Sequence, residues 1–162
     1  MYIKINKDNV RLGILSDTHG QIRRELYSLF SGVEYLLHAG DIGSPETLRD
    51  LEKIAPICAV LGNTDSFFNF PDLSETAFFE TAQTRLFITH SCKHLDMDPG
   101  AANINGVICG HTHDPCIEHH KNVLFLNPGS AGPRRFDLPV SIAILEIHGT
   151  DINAKLIEIP TH

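Results

Sequence analysis

The chain has 162 residues, of which 42% are apolar and 20% charged, and its formal net charge is −7. That is enough apolar material for one packed domain over residues 1–162 and too much for a disordered segment. The acidic balance argues against stable nucleic-acid binding or an anionic membrane surface. No apolar run reaches the length of a signal peptide or a membrane-spanning helix, so a cytoplasmic protein is expected.

In chain order, Val10–Leu15 is a short apolar run bounded by polar residues, which predicts a buried strand. Ile22, Leu26, Leu29 and Phe30 follow at helical spacing with Arg23, Arg24 and Glu25 opposite, predicting a helix over 21–30. Tyr35–Ala39 reads as the second strand. Ser44 then offers an N-cap and Pro45 a first turn, with Leu48, Leu51 and Ile54 continuing the helix and Pro56 ending it. Ile57–Leu61 is the third strand, giving β-α-β-α-β with parallel, right-handed connections.

The second half changes character. Ala77–Thr81 and Thr84–His90 predict a hairpin around Ala82-Gln83. Residues 94–105 hold at most a short helix, interrupted by Pro99-Gly100. Strands follow at 106–109, 116–118, 123–127, 140–147 and 152–159, with turns at His119–Asn122 and His148–Asp151. Helices early and strands late favour a two-sheet α/β sandwich over a doubly wound single sheet.

Seven metal-competent side chains each follow one of these apolar runs: Asp17, His19, Asp41, Asn63, His90, His111 and His113. Side chains at the ends of successive strands converge on one rim of a sheet. Asp17-Thr18-His19 and His111-Thr112-His113 pair donors at i and i+2, which in extended backbone point the same way. The glycines of Gly40-Asp41, Gly62-Asn63 and Gly110-His111 are expected to supply sharp turns before the ligands. Imidazole, carboxylate and amide oxygen without thiolate suit Mn, Fe, Zn, Co or Ni.

Together, D-x-H, G-D, G-N-x-D, a lone His and G-H-T-H, spread from Asp17 to Ser130, resemble the calcineurin-like metallophosphoesterase family. Asn127-Pro128-Gly129-Ser130 resembles its small, single-domain prokaryotic phosphodiesterase branch. The resemblance implies a four-layer sandwich with two divalent ions, manganese first among the candidates, at the carboxyl ends of the strands. One ion would take Asp17, His19, His113 and a bridging Asp41; the other would take Asp41, Asn63, His90 and His111. It implies hydrolysis of a small or nucleotide-like phosphodiester by a metal-activated hydroxide, with Asp41, Asn63 and His90 central to catalysis. Asn63 and Arg134 would contact the substrate, Arg135 competing with Arg134 for that role. A homo-oligomer is compatible with all of this.

One position departs from the family pattern. Many members have G-N-H-D, where the histidine is thought to protonate the leaving oxygen, whereas this chain reads Gly62-Asn63-Thr64-Asp65. A threonine is no general acid near neutral pH, so slow hydrolysis is expected, best with acidic leaving groups such as aryl esters, unless another residue such as His94 donates the proton. The same departure supports an alternative reading, a catalytically weak scaffold that binds protein partners. The remaining residues have plainer expectations. His38 reads as a satisfied core histidine, and His119, His120, His148 and His162 as turn or terminus residues. Asp65 reads as a loop hydrogen-bonder, and Phe67–Pro71 either as an exposed patch for a partner or substrate base or as a loop tucked onto the core. Cys58 and Cys109 read as core residues, Cys92 as core or facing the site, and no disulfide is expected.

Overall fold

In the computed structural model, which describes residues 1–93 and 95–161, alternation along Asn9–Leu15 (β2) decides how the chain layers. Val10, Leu12 and Ile14 face one way, into a core shared with a second sheet, while Gly13 lies against Phe30 on the other face. β2 pairs in parallel with Tyr35–His38 (β3), which pairs in parallel with Ile57–Ala59 (β4). On its other edge β2 meets Ser141–His148 (β10) antiparallel, and β10 forms a hairpin with Asp151–Glu158 (β11).

The second sheet has six strands. Tyr2–Lys4 (β1) pairs with Thr76–Glu80 (β5), β5 with Arg85–Thr89 (β6), and β6 with Gly106–Ile108 (β7). Val123–Asn127 (β9) and Cys116–His120 (β8) complete it. The two sheets stack through Leu12, Ile14, Leu37, Phe79, Leu86, Ile88, Leu126 and Leu145, all fully buried. The α/β two-sheet sandwich read from the sequence is the observed architecture.

Both helices cover the outer face of the five-stranded sheet. Glu25–Leu29 (α1) is shorter than the predicted 21–30; Leu26 and Phe30 are buried against it while Ile22 and Leu29 pack at the margin. Pro45–Glu52 (α2) starts as expected, the Ser44 hydroxyl accepting from the Thr47 amide, and it buries Leu51. Over the outer face of the six-stranded sheet the covering layer is irregular chain, with Ile104 buried on Phe87, Val107 and Val123. The described part of the predicted 94–105 segment contains turns and no helix.

Several local expectations are corrected. β1 was not predicted: three residues with only Ile3 half-buried leave no periodic signal. His119 and His120 lie in β8, and the turn is Lys121-Asn122, both in left-handed backbone. Cys92 and Cys109 form a disulfide, which the sequence did not predict because the two positions, 17 residues apart, meet only when the chain leaving β6 lies beside the end of β7. His94 and His162 lie outside the described residues.

Candidate metal centre

The carboxyl ends of β2, β3, β4, β6 and β7 open on the same rim, and the segments beyond them run side by side. The Asp17, His19 and Gly20 amides donate to the Gly40, Asp41 and Ile42 carbonyls at 3.0, 2.9 and 2.8 Å, and Gly110 donates to the His90 carbonyl at 2.9 Å. Asp17, His19, Asp41, His111 and His113 all have positive φ, between 46° and 72°. The convergence of Asp17 with His19, and of His111 with His113, therefore arises in left-handed loops and not from the extended backbone that the i, i+2 argument assumed. Left-handed backbone is uncommon for such residues and is tolerated where surrounding structure fixes it.

The glycines work by close approach more than by turning. Gly40 has φ +92°, and a Cβ there would lie 2.7 Å from His90 Nδ1 and 2.8 Å from the Gly62 amide nitrogen. Gly62 and Gly110 have no positive φ, yet a side chain at Gly62 would collide with the Asp41 carboxylate and one at Gly110 with Ser16.

All seven nominated side chains meet through polar atoms in two linked groups. In the first, His113 Nε2 lies 3.2 Å from Asp17 Oδ1 and 3.5 Å from His19 Nε2. In the second, His90 Nε2 lies 3.0 Å from Asn63 Oδ1, and His111 Nδ1 lies 3.1 Å from the same oxygen and 3.3 Å from His90 Nε2. Asp41 joins them: its Oδ2 is 3.8 Å from His19 Nε2 and 3.4 Å from His90 Nε2. Arg134 is not part of this cluster; it is exposed on the loop after Ser130.

The donor chemistry fits a cation. His90 Nδ1 meets the Ala39 carbonyl at 2.7 Å and so carries a proton, which leaves Nε2 facing Asp41 Oδ2 and Asn63 Oδ1 either as a lone pair with a cation between or as the N–H of a charged ring. Acceptors facing acceptors in a buried site repel unless positive charge lies among them. Asp17 Oδ1 is buried with no hydrogen-bond donor, and a cation among these ligands would satisfy it. Asp17, His19 and His113 offer ligand atoms within 4.8 Å of one another, as do Asp17, Asp41 and His90.

The local electrostatics agree. Burial alone would raise the Asp41 carboxyl, but the hydrogen bond with His90 and the Thr64 amide, which donates at 2.9 Å, hold it well below the usual carboxylate range. Burial also opposes ionisation of Asp17, and the adjacent His113 and Ser16 side chains bring it below its ordinary value. Burial lowers His90, but its contacts with Asp41 and the Ala39 carbonyl raise it overall.

Residues around the cluster set its shape. His38 is fully buried: its Nδ1 accepts from the Gly40 amide at 3.1 Å, and its Nε2–H donates to Thr18 Oγ1 at 2.9 Å, the hydroxyl passing on to the Ile42 carbonyl at 2.9 Å. Burial pushes its pKa down to about 3. The expectation of a satisfied core histidine holds, and it also ties the two carboxylate loops together. Asp65 is the expected loop hydrogen-bonder, accepting from the Ile42, Gly43 and Gly62 amides at 2.8, 3.0 and 2.8 Å. Asn127 and Ser130 have a role that sequence reasoning missed. Asn127 Nδ2 donates to the Gly110 carbonyl and to Thr112 Oγ1, both at 2.9 Å, and the Ser130 hydroxyl donates to the Asp17 carbonyl at 3.0 Å. Their signal was the Asn-Pro-Gly-Ser motif, but nothing in it identified these partners. Phe67 and Phe68 are exposed, so the reading of that stretch as tucked onto the core is corrected for both.

The model of the calcineurin-like phosphoesterase superfamily domain matches residues 10–150. A probable metallophosphoesterase of Methanothermobacter thermautotrophicus is 32% identical over 161 residues, covering 90% of this chain and 91% of that protein. The phosphodiesterase YfcE of Escherichia coli K12 is 29% identical, covering 85% and 88%. Among solved structures, an archaeal phosphodiesterase superposes with TM-score 0.73 at 25% identity, covering 91% of this chain and 99% of the other. Vacuolar protein sorting 29 of Cryptosporidium parvum does so with TM-score 0.76 at 20% identity over 96% of this chain and all of the other, a likeness of fold alone.

Proposed function

Because the chain belongs to the calcineurin-like phosphoesterase superfamily, we propose that this metallophosphoesterase is a dinuclear, single-domain cytoplasmic phosphodiesterase acting on small or nucleotide-like diesters. The observation that carries this reading is the position of Asp41, whose Oδ2 faces His19 on one side and His90 on the other. Asp17, His19, His113 and Asp41 would hold one ion, and Asp41, Asn63, His90 and His111 the other, with manganese the first choice. Two such ions supply Lewis acidity toward the phosphoryl oxygens and a water nucleophile near neutral pH.

The chain's own residues do the rest. The Thr64 amide and His90 keep Asp41 ionised, so the shared carboxylate is available at neutral pH. The Ala39 carbonyl fixes the His90 tautomer, and the Asp17 carboxylate is aligned by the His111 amide at 3.0 Å. Asn63 is exposed, which suits an amide that also touches substrate. With Thr64 after Asn63, no imidazole at that position can protonate a leaving oxygen, which favours diesters with acidic leaving groups.

The test is a metal-supplemented assay comparing a chromogenic diester with the matching monoester, using Asp41→Ala and His111→Ala as controls. Metal-dependent diester turnover, lost in both variants, supports the proposal. Thr64 also favours a second reading, a partner-binding scaffold; wild-type turnover no greater than that of the controls would support it.

A further inference from the structure

Phe67 and Phe136 are 85% and 87% exposed, well beyond Tyr2 at 56%, the next most exposed large apolar residue described. Both stand on loops fastened to the metal-centre loops, and the two loops attach to different halves of it. Phe67 ends the short helical turn Asp65–Phe67, and the buried Asp65 carboxylate locks that turn onto the amides of Ile42, Gly43 and Gly62, between Asp41 and Asn63. Phe136 lies inside a turn closed by the Leu138 amide on the Arg135 carbonyl at 3.1 Å. The stem of that loop is pinned to the other half: Ser130 bonds the Asp17 carbonyl at 3.0 Å, and the Arg23 guanidinium bonds the Gly132 carbonyl at 2.8 Å.

Phe136 also has φ +52°, a left-handed conformation that is a genuine outlier for a bulky side chain. Backbone strain of this kind clusters at functional sites. Arg134, two residues before it and exposed, puts on the same loop a guanidinium of the kind that pairs with phosphate.

We propose that Phe67 and Phe136 are two stacking platforms flanking the metal centre, each receiving a flat arm of the diester whose phosphate lies between them. The substrate class is then a diester with an aromatic ring or nucleobase on both arms, such as a dinucleotide. The proposal rests on the phosphodiesterase reading above and narrows it. Two platforms on two loops match a diester, which has two arms, and not a monoester. Stacking accepts any base because every base has a π-face. The net charge of −7 disfavours long polyanions, which points to a small ligand.

The experiment uses the manganese-loaded chain with bis(4-nitrophenyl) phosphate, which has two aryl arms, and methyl 4-nitrophenyl phosphate, which has one. Phe67→Ala and Phe136→Ala should each raise KM for the two-armed ester by about 5- to 100-fold, with kcat changing much less. The one-armed ester should respond to only one of the two variants, because its single ring occupies one platform. Phe136→Trp should retain the wild-type KM, and Tyr27→Ala, an exposed aromatic on α1, should leave both esters unaffected. Circular dichroism melts check that the variants fold, and a merely structural defect would not select one arm. An unchanged KM for the two-armed ester in either alanine variant, or equal responses of the one-armed ester to both, overturns the platforms. Absence of manganese-dependent turnover of either ester in the wild-type chain overturns the phosphodiesterase reading itself.

Discussion

The Nδ1 of His90 donates to the Ala39 carbonyl at 2.7 Å, and this one bond aims the Nε2 lone pair at Asp41 Oδ2, 3.4 Å away. Two acceptors so placed and nearly buried call for a cation between them or a proton on the ring. A metal that binds only the folded state stabilises it by about 2.7 kcal/mol at a hundredfold excess over its dissociation constant. Manganese is therefore expected to raise the melting temperature and a chelator to reverse the rise, while His90→Ala should remove most of the response. A melting temperature indifferent to manganese would count against the cation.

His38 sets a second expectation. Its folded pKa is pushed from 6.5 down to about 3 by burial, so the unfolded chain binds a proton that the folded chain refuses. The contribution is absent above about pH 6.5, and stability then falls by about 1.4 kcal/mol per pH unit as pH drops toward 3. Asp41 and Asp17, both depressed, add to the loss only below their ordinary value of 3.8. His38→Gln should be less stable at pH 7 but flatter between pH 6 and 4 in urea melts. A parallel acid limb in the variant would contradict the assignment.

Thr64 makes the leaving group matter. Thr64→His should accelerate hydrolysis of an alkyl diester by up to about 10²–10⁴-fold, the usual range for general acid catalysis, and change aryl ester turnover little. The measurement is the dependence of kcat/KM on leaving-group pKa. A wild-type chain already flat in that plot has a proton donor elsewhere.

The lattice of amides around Asp65 gives a stability prediction. Asp65→Ala leaves the Ile42, Gly43 and Gly62 amides without their acceptor, at a cost of about 2–4 kcal/mol for a charged acceptor with one buried and two half-buried donors. Urea denaturation reads this directly, and a loss below about 0.5 kcal/mol would show that the turn holds without it.

The sequence made the sandwich legible because β2, β3, β6, β9 and β10 are apolar runs whose burial leaves few other solutions. The order of Asp17, Asp41, Asn63, His90 and His111 after β2, β3, β4, β6 and β7 made the candidate site legible for the same reason. What was not legible depends on contacts between distant segments. The left-handed backbone at Asp17 and His19 is imposed by parallel pairing with 40–42, which no local propensity encodes. The Cys92–Cys109 pairing, the anchoring of Asp17 by Ser130, and the edge strand β1 likewise exist only once the sheets are assembled.

The central claim is that the seven side chains hold two adjacent ions with Asp41 between them. Anomalous diffraction at the manganese edge, from crystals grown with excess manganese, tests it most directly. The account predicts two peaks, one among Asp17, His19, His113 and Asp41 and one among Asp41, Asn63, His90 and His111. One peak, or none at this rim, would contradict it.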